Sequence, residues 1–131
     1  MKKSYSTKAF FSSFFSKSVK QEQNDEYIPC LYIPNEFGGK KLVIYFHGNA
    51  EDIGYAFELM YSFGAHTKMH VLCVEYPGYG LYKTAISNEN QIREDALIVY
   101  DYLVKHVGIN PIDIMAFGRS LGSGPATYLA S

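Results

Sequence analysis

Tryptophan is absent from the 131 residues, cysteine occurs twice, and neither sign of charge dominates, the formal net charge being −1. Each scarcity removes a class of protein. Cys30 and Cys73 are too few for a disulfide scaffold and show no metal-ligand spacing, so both read as reduced core residues. A balanced charge leaves no electrostatic footprint for nucleic acid, and no nucleic-acid partner is expected. No apolar run approaches the ~18 residues that a bilayer-crossing helix needs. There is no G-x-G-x-x-G after the first buried strand and no G-x-x-x-x-G-K-[ST] anywhere, which argues against a nucleotide-binding doubly wound fold. What is present, 47% hydrophobic residues including 12 Tyr and 9 Phe, is enough apolar surface for a packed core.

The near-zero net charge conceals an asymmetry. Residues 1–20 hold five lysines and no acid, whereas residues 21–131 hold seven basic and thirteen acidic residues. The chain therefore divides into a basic, Ser/Phe-rich leader or tail over 1–26 and a domain over 27–131. The leader lacks the apolar core and cleavage pattern of a secretory signal. As a helix it would place Phe11, Phe15 and Val19 on one face, flanked by Phe10 and Phe14. Three uses remain open: a tail or helix packed on the domain, peripheral contact with an anionic membrane through residues 1–20, and organellar targeting. The expected location is intracellular, in the cytoplasm or at a membrane periphery.

From residue 27 onward, strand and helix signals alternate. Residues 27–33 read as a strand, and Pro29, with no N–H for a ladder, argues for a sheet edge. Residues 41–46 (KLVIYF) and 70–75 (HVLCVE) are dense apolar runs suited to strands covered on both faces. Between them, Ile53, Phe57, Met60 and Phe63 recur at helical spacing. A second helix starts at Asn88 and Gln91, placed as a capping box, and closes at Gly108. A fourth strand covers 112–117, and a helix begins near Gly122. Such alternation implies an α/β fold, a mostly parallel sheet with helices on both faces. Ligands in such sheets bind beyond the carboxyl ends of the strands.

Two of those ends carry chemistry. Gly118-Arg119-Ser120-Leu121-Gly122 is a G-x-S-x-G between a strand and a helix, the setting of a nucleophile elbow. The turn strains Ser120, and the flanking glycines, Gly118 and Gly122, avoid side chains that would collide with it. The helix start places the Leu121 N–H where an oxyanion could accept it. After the 41–46 strand comes His47-Gly48-Asn49-Ala50, the position from which a second oxyanion donor should come; the backbone of Asn49 fits, with His47 and Gly48 shaping the loop. Glu51 and Asp52 read as stabilisers of the following helix start.

These motifs, together with Glu75-Tyr76-Pro77-Gly78-Tyr79-Gly80, occur in the order found in the α/β-hydrolase superfamily. Residues 27–131 resemble the branch holding serine-aminopeptidase-like proteins and membrane-associated depalmitoylases with abhydrolase domains. The resemblance implies a three-layer αβα sandwich, Ser120 as acyl nucleophile, and Asn49 and Leu121 N–H groups as oxyanion hole. It implies cleavage of an ester, thioester or amide of an acylated small molecule, lipid or protein, without metal or organic cofactor. Tyr79 and Tyr82, beside the Pro-Gly turn, are the residues expected to face substrate.

Two departures stand out. The leader has no cysteine cluster for lipid attachment. The triad order of the superfamily is Ser, acid, His, yet residues 121–131 contain neither acid nor histidine; His47, His66, His70 and His106 all precede Ser120. His66 and His70 have no third ligand nearby for a metal, His106 suits a helix C-terminus, and Asp113 is expected inside the strand before the elbow. The chain is therefore expected to be a fragment, cut after the nucleophile elbow, with the strand before the elbow exposing one hydrogen-bonding edge. The alternative is a non-catalytic, hydrolase-like remnant with at most a binding role.

Overall fold

The computed structural model describes residues 16–21, 26–82 and 86–131. It holds strands β1 (Ser16–Gln21), β2 (Glu26–Ile33), β3 (Leu42–Phe46), β4 (His70–Val74) and β5 (Ile114–Gly118), and helices α1 (Ile53–Thr67), α2 (Glu89–Tyr102) and α3 (Ser123–Ala130). One sheet contains the strands in the order β1-β2-β4-β3-β5. β3 runs parallel to both β4 and β5, while β2 is antiparallel to β1 and β4.

Side-chain alternation along the strands divides the core into two layers. Leu42, Ile44 and Phe46 of β3, with Leu72 and Val74 of β4, pack with Ile92, Ala96 and Val99 of α2 and Ala126 of α3. Val43, Tyr45, Val71 and Cys73 point the other way, against Ile53, Ala56 and Met60 of α1. Helices thus cover both faces, and the chain forms the three-layer αβα sandwich of the α/β-hydrolase fold. Cys30 and Cys73 are buried free thiols on opposite faces. Burial and the nearby Glu75 charge push Cys73 up to about 12, which leaves it protonated and unreactive.

The helix ends follow local chemistry. Asp52 caps α1, its carboxylate accepting the Tyr55 N–H at 2.7 Å. Asn88 caps α2 by accepting from the Gln91 N–H at 2.8 Å. The Gln91 side chain does not complete a capping box; its amide donates instead to Asp95 at 2.8 Å. Before Gly108 ends the helix at φ 84°, the chain widens into a π-helical turn over Leu103–Val107.

Three expectations are corrected. β2 is not an edge, because β1 lies beyond it. Pro29 is tolerated there because its carbonyl accepts from the Glu75 N–H at 3.0 Å, just past the last β2–β4 pair. Its missing N–H therefore falls where that ladder has already ended. Ser16–Gln21 is extended and paired with β2, so Val19 does not continue a helix; the aromatic cluster Phe10, Phe11, Phe14 and Phe15 lies outside the described residues. Asp113 belongs to a short 3-10 turn, Pro111–Asp113, and β5 starts after it.

Candidate active site

The chain leaves β5 through an extended Arg119 and enters a left-handed conformation at Ser120, with φ 52°. An L-residue avoids that region because its Cβ crowds the backbone, so the conformation is held by its surroundings. The surroundings are close. Arg119 N–H donates to the Phe46 carbonyl at 3.1 Å, fastening the turn to the end of β3. A Cβ at Gly118 would overlap the Gly122 carbonyl, and one at Gly122 would overlap the Phe46 carbonyl. The glycines are thus required by backbone-to-backbone contact rather than by room for the serine itself. Ser123 Oγ donates to the Ser120 carbonyl at 2.6 Å, and a single 3-10 turn leads into α3. The serine side chain is left exposed beyond the carboxyl ends of the parallel strands.

Across from it, the loop after β3 is anchored by His47, which is fully buried. Both ring nitrogens face oxygen: Nδ1 reaches the Gly48 carbonyl at 2.9 Å and Nε2 reaches Glu75 Oε1 at 2.6 Å. A carbonyl can only accept, so Nδ1 carries a proton. Glu75 also accepts the Ile53 N–H at 3.1 Å and the Tyr76 N–H at 3.2 Å. Desolvation pulls the His47 pKa down. The Glu75 hydrogen bond, the Gly48 carbonyl and the charges of Glu75 and Glu51 outweigh it, and the net shift is upward from 6.5. The Tyr76 hydroxyl donates to the His47 carbonyl at 2.5 Å, and the two rings lie 4.2 Å apart. Gly80, at φ 47°, passes so near the Glu75 carboxylate that a Cβ would press on it.

Asn49, Tyr79, Ser120 and Leu121 line a common cleft of about 610 Å³ with Asn88, Ile92, Arg93 and Pro125. That size lies within the range of small-molecule sites. The Tyr79 hydroxyl donates to Asn49 Oδ1 at 2.8 Å, bracing the loop that carries the Asn49 amide. Tyr82, expected to face substrate, is buried at 6% exposure and does not line this cleft; its backbone closes the Pro-Gly turn by bonding Tyr79 and Gly78. The structure thus brings together Ser120, Leu121, Asn49 and Tyr79 and leaves Tyr82 out.

Two acids take roles that sequence patterning missed. Glu75 is the partner of His47, and its signal was a charged residue directly after the apolar run VLCV. Glu51 turns away from the α1 terminus, accepting the Gly48 N–H at 3.1 Å and pairing with Arg119 at 3.1 Å. The other histidines are elsewhere. His66 bonds the Ser62 carbonyl at 2.7 Å, His70 is held between the Asn35 N–H and the Gly39 carbonyl, and His106 stacks on Tyr102. Among the described residues no group of three or more His, Cys, Asp or Glu could hold a metal ion, and no helix is long and apolar enough to cross a membrane.

A strained serine between a parallel strand and a helix, facing a loop that follows the neighbouring strand, is the arrangement of an α/β-hydrolase. Comparison with known proteins agrees. The chain is 25% identical over 118 residues to alpha/beta hydrolase domain-containing protein 17C of Mus musculus, covering 90% of this chain and 35% of that one. To the Xenopus tropicalis protein of the same name it is 28% identical over 102 residues, covering 78% and 33%. The chain thus spans about a third of the length of these curated relatives. Among solved structures it is similar to an acetyl xylan esterase from Paenibacillus sp. R4, with a TM-score of 0.63, 16% identity, and coverage of 98% of this chain and 48% of that one. A cold-adapted esterase from an Arctic intertidal metagenomic library matches with a TM-score of 0.60 at 17% identity, covering 96% and 59%. These structural likenesses concern the fold. No protein-family model matches the chain.

Proposed function

We propose that this chain is the nucleophile-bearing part of a serine hydrolase that cleaves an ester, thioester or amide through an acyl-enzyme on Ser120. The observation that carries the reading is the left-handed Ser120 at the end of β5, exposed to a cleft shared with Asn49 and Leu121. In the first step Ser120 Oγ attacks the acyl carbon while its proton passes to a base. The negative charge that develops on the carbonyl oxygen is met by the Asn49 and Leu121 N–H groups. Collapse expels the alcohol, thiol or amine, which takes up a proton, and water then releases the acid in a second addition and collapse.

Among the described residues lining the cleft there is no histidine, and His47 is committed to Glu75 and Gly48. A base and its orienting acid therefore enter this reading as further sequence of the natural product. The relatives' greater length and the exposed outer edge of β5 support that extension. By itself the 131-residue chain should be slow, since loss of the base costs on the order of 10⁶ in turnover while an oxyanion hole alone retains ~10³–10⁴ over water. Membrane contact through residues 1–20 is part of the proposal only as a location for acylated lipid or protein substrates.

An alkyl fluorophosphonate applied to the natural full-length product tests this directly. The protein should be labelled, and its Ser120→Ala form should not. Equal labelling of both forms would remove Ser120 from the mechanism.

A further inference from the structure

The two loops that flank the cleft are joined by one carboxylate. Glu51 Oε2 accepts the Gly48 N–H at 3.1 Å, and Glu51 Oε1 pairs with the Arg119 guanidinium at 3.1 Å. Gly48 immediately precedes Asn49, and Arg119 immediately precedes Ser120. The strut thus grips each arm one residue upstream of a group that lines the cleft.

Capping α1 is not what holds Glu51 there. The α1 amides have other acceptors: Tyr55 N–H bonds Asp52, and Ile53 N–H bonds Glu75. Between Asn49 and Glu51, Ala50 adopts φ 60°, a conformation that an alanine does not choose unaided. That reversal is what lets the carboxylate return to the Gly48 N–H, three residues back. The Glu51 side chain is only 15% exposed, but its partner Arg119 is 58% exposed, which leaves the pair open to screening by salt.

From this geometry we infer that Glu51 is a positioning residue, setting the separation between the Asn49 and Leu121 amides by tying the loop after β3 to the serine turn. The inference rests on the serine-hydrolase reading above. An oxyanion hole works only where its donors already point at the developing charge, and two amides on separate loops need a common brace to keep that aim. Glu51→Gln would keep an acceptor for the Gly48 N–H and lose the ion pair with Arg119. Glu51→Ala would lose both.

The test is the rate at which excess alkyl fluorophosphonate modifies Ser120 in the natural full-length product, followed by intact mass. The serine oxygen forms the P–O bond, fluoride leaves, and the hydroxyl proton passes to the base. Glu51→Gln should slow the reaction about threefold and Glu51→Ala about tenfold, less than the ~10²–10³ lost with a whole oxyanion donor. Added salt should slow the wild-type chain toward the Glu51→Gln rate and leave Glu51→Gln unchanged, a response that loss of folding would not mimic. Circular dichroism and thermal midpoints of the same samples identify any variant that fails to fold, and Arg119→Lys, which keeps the charge, should recover part of the rate lost in Arg119→Ala. Wild-type rates in folded Glu51→Gln and Glu51→Ala would overturn the positioning role and leave the serine reading intact. A natural full-length product labelled no faster than its Ser120→Ala form would overturn both.

Discussion

β3 and β5 are neighbours in one sheet, five residues each, paired rung for rung from Leu42–Ile114 to Phe46–Gly118. Every residue of β3 is buried, yet Met115 is 50% and Phe117 39% exposed. Composition does not separate them, since LVIYF and IMAFG are both apolar. Position does. β3 has β4 on one side and β5 on the other, with Val43 and Tyr45 in the core layer of α1, and α3 against the opposite face, while β5 has a ladder on one side. The consequence falls on the candidate site, because the loop after β3 is anchored by the buried His47 and Gly48 while the serine turn after β5 is held mainly through β3 and α3.

The comparison can be broken most sharply at Gly122, where the serine turn presses on the end of β3. Gly122→Ala would drive a Cβ into the Phe46 carbonyl and should cost beyond about 5 kcal/mol, enough to prevent folding. Soluble expression and circular dichroism would check it, and a folded Gly122→Ala with an unchanged melting curve would show that the contact is slack. Next in size is Glu75→Leu. Removing one partner of a buried pair should cost about 3–5 kcal/mol in urea unfolding, because His47 would be left without its carboxylate.

The same pair sets a pH response. His47 is raised in the fold above its ordinary 6.5, so its contribution is complete below about that pH and is lost as pH rises through the higher folded value. Urea midpoints measured from about pH 6 to about pH 9 should therefore fall for the wild-type chain, in a window where ordinary carboxylates are already ionised. His47→Gln should flatten that decline. Stability that climbed with pH over this window would contradict the assignment. The smallest effects belong to matched rungs of the two strands. Val43→Ala on β3 should cost about 1–3 kcal/mol, and Met115→Ala, its direct partner on β5, less than about 1 kcal/mol. Met115→Lys should leave folding nearly unchanged and reduce self-association in sedimentation, since a charge blunts an exposed strand edge.

These contrasts also explain what could be read in advance. β3 and β4 were legible because doubly covered strands must be apolar at every position, and the serine turn because two glycines at fixed spacing answer backbone contacts that no other residue permits. β1 was not legible. Its sequence SKSVKQ carries no apolar pattern, and its pairing depends on the backbone edge offered by β2. That same pairing removed β2 from the edge that Pro29 had suggested. Glu75 and Glu51 were hidden for a different reason. Each acts on a partner far along the chain, His47 for one and Arg119 for the other, and such pairs leave no periodic trace in a sequence. Tyr82 sits three residues from Tyr79 and yet turns inward, a difference set by the turn bonds from Gly78 and to Tyr79.

The most direct test is to find where an acyl group lands. The natural full-length product would be mixed with an activated acyl ester, quenched in acid, digested, and mapped by mass spectrometry. The expected result is acylation of Ser120 in the peptide spanning the serine turn, absent from Ser120→Ala. Acyl groups spread over lysines and other serines, in equal amount with and without Ser120, would contradict it.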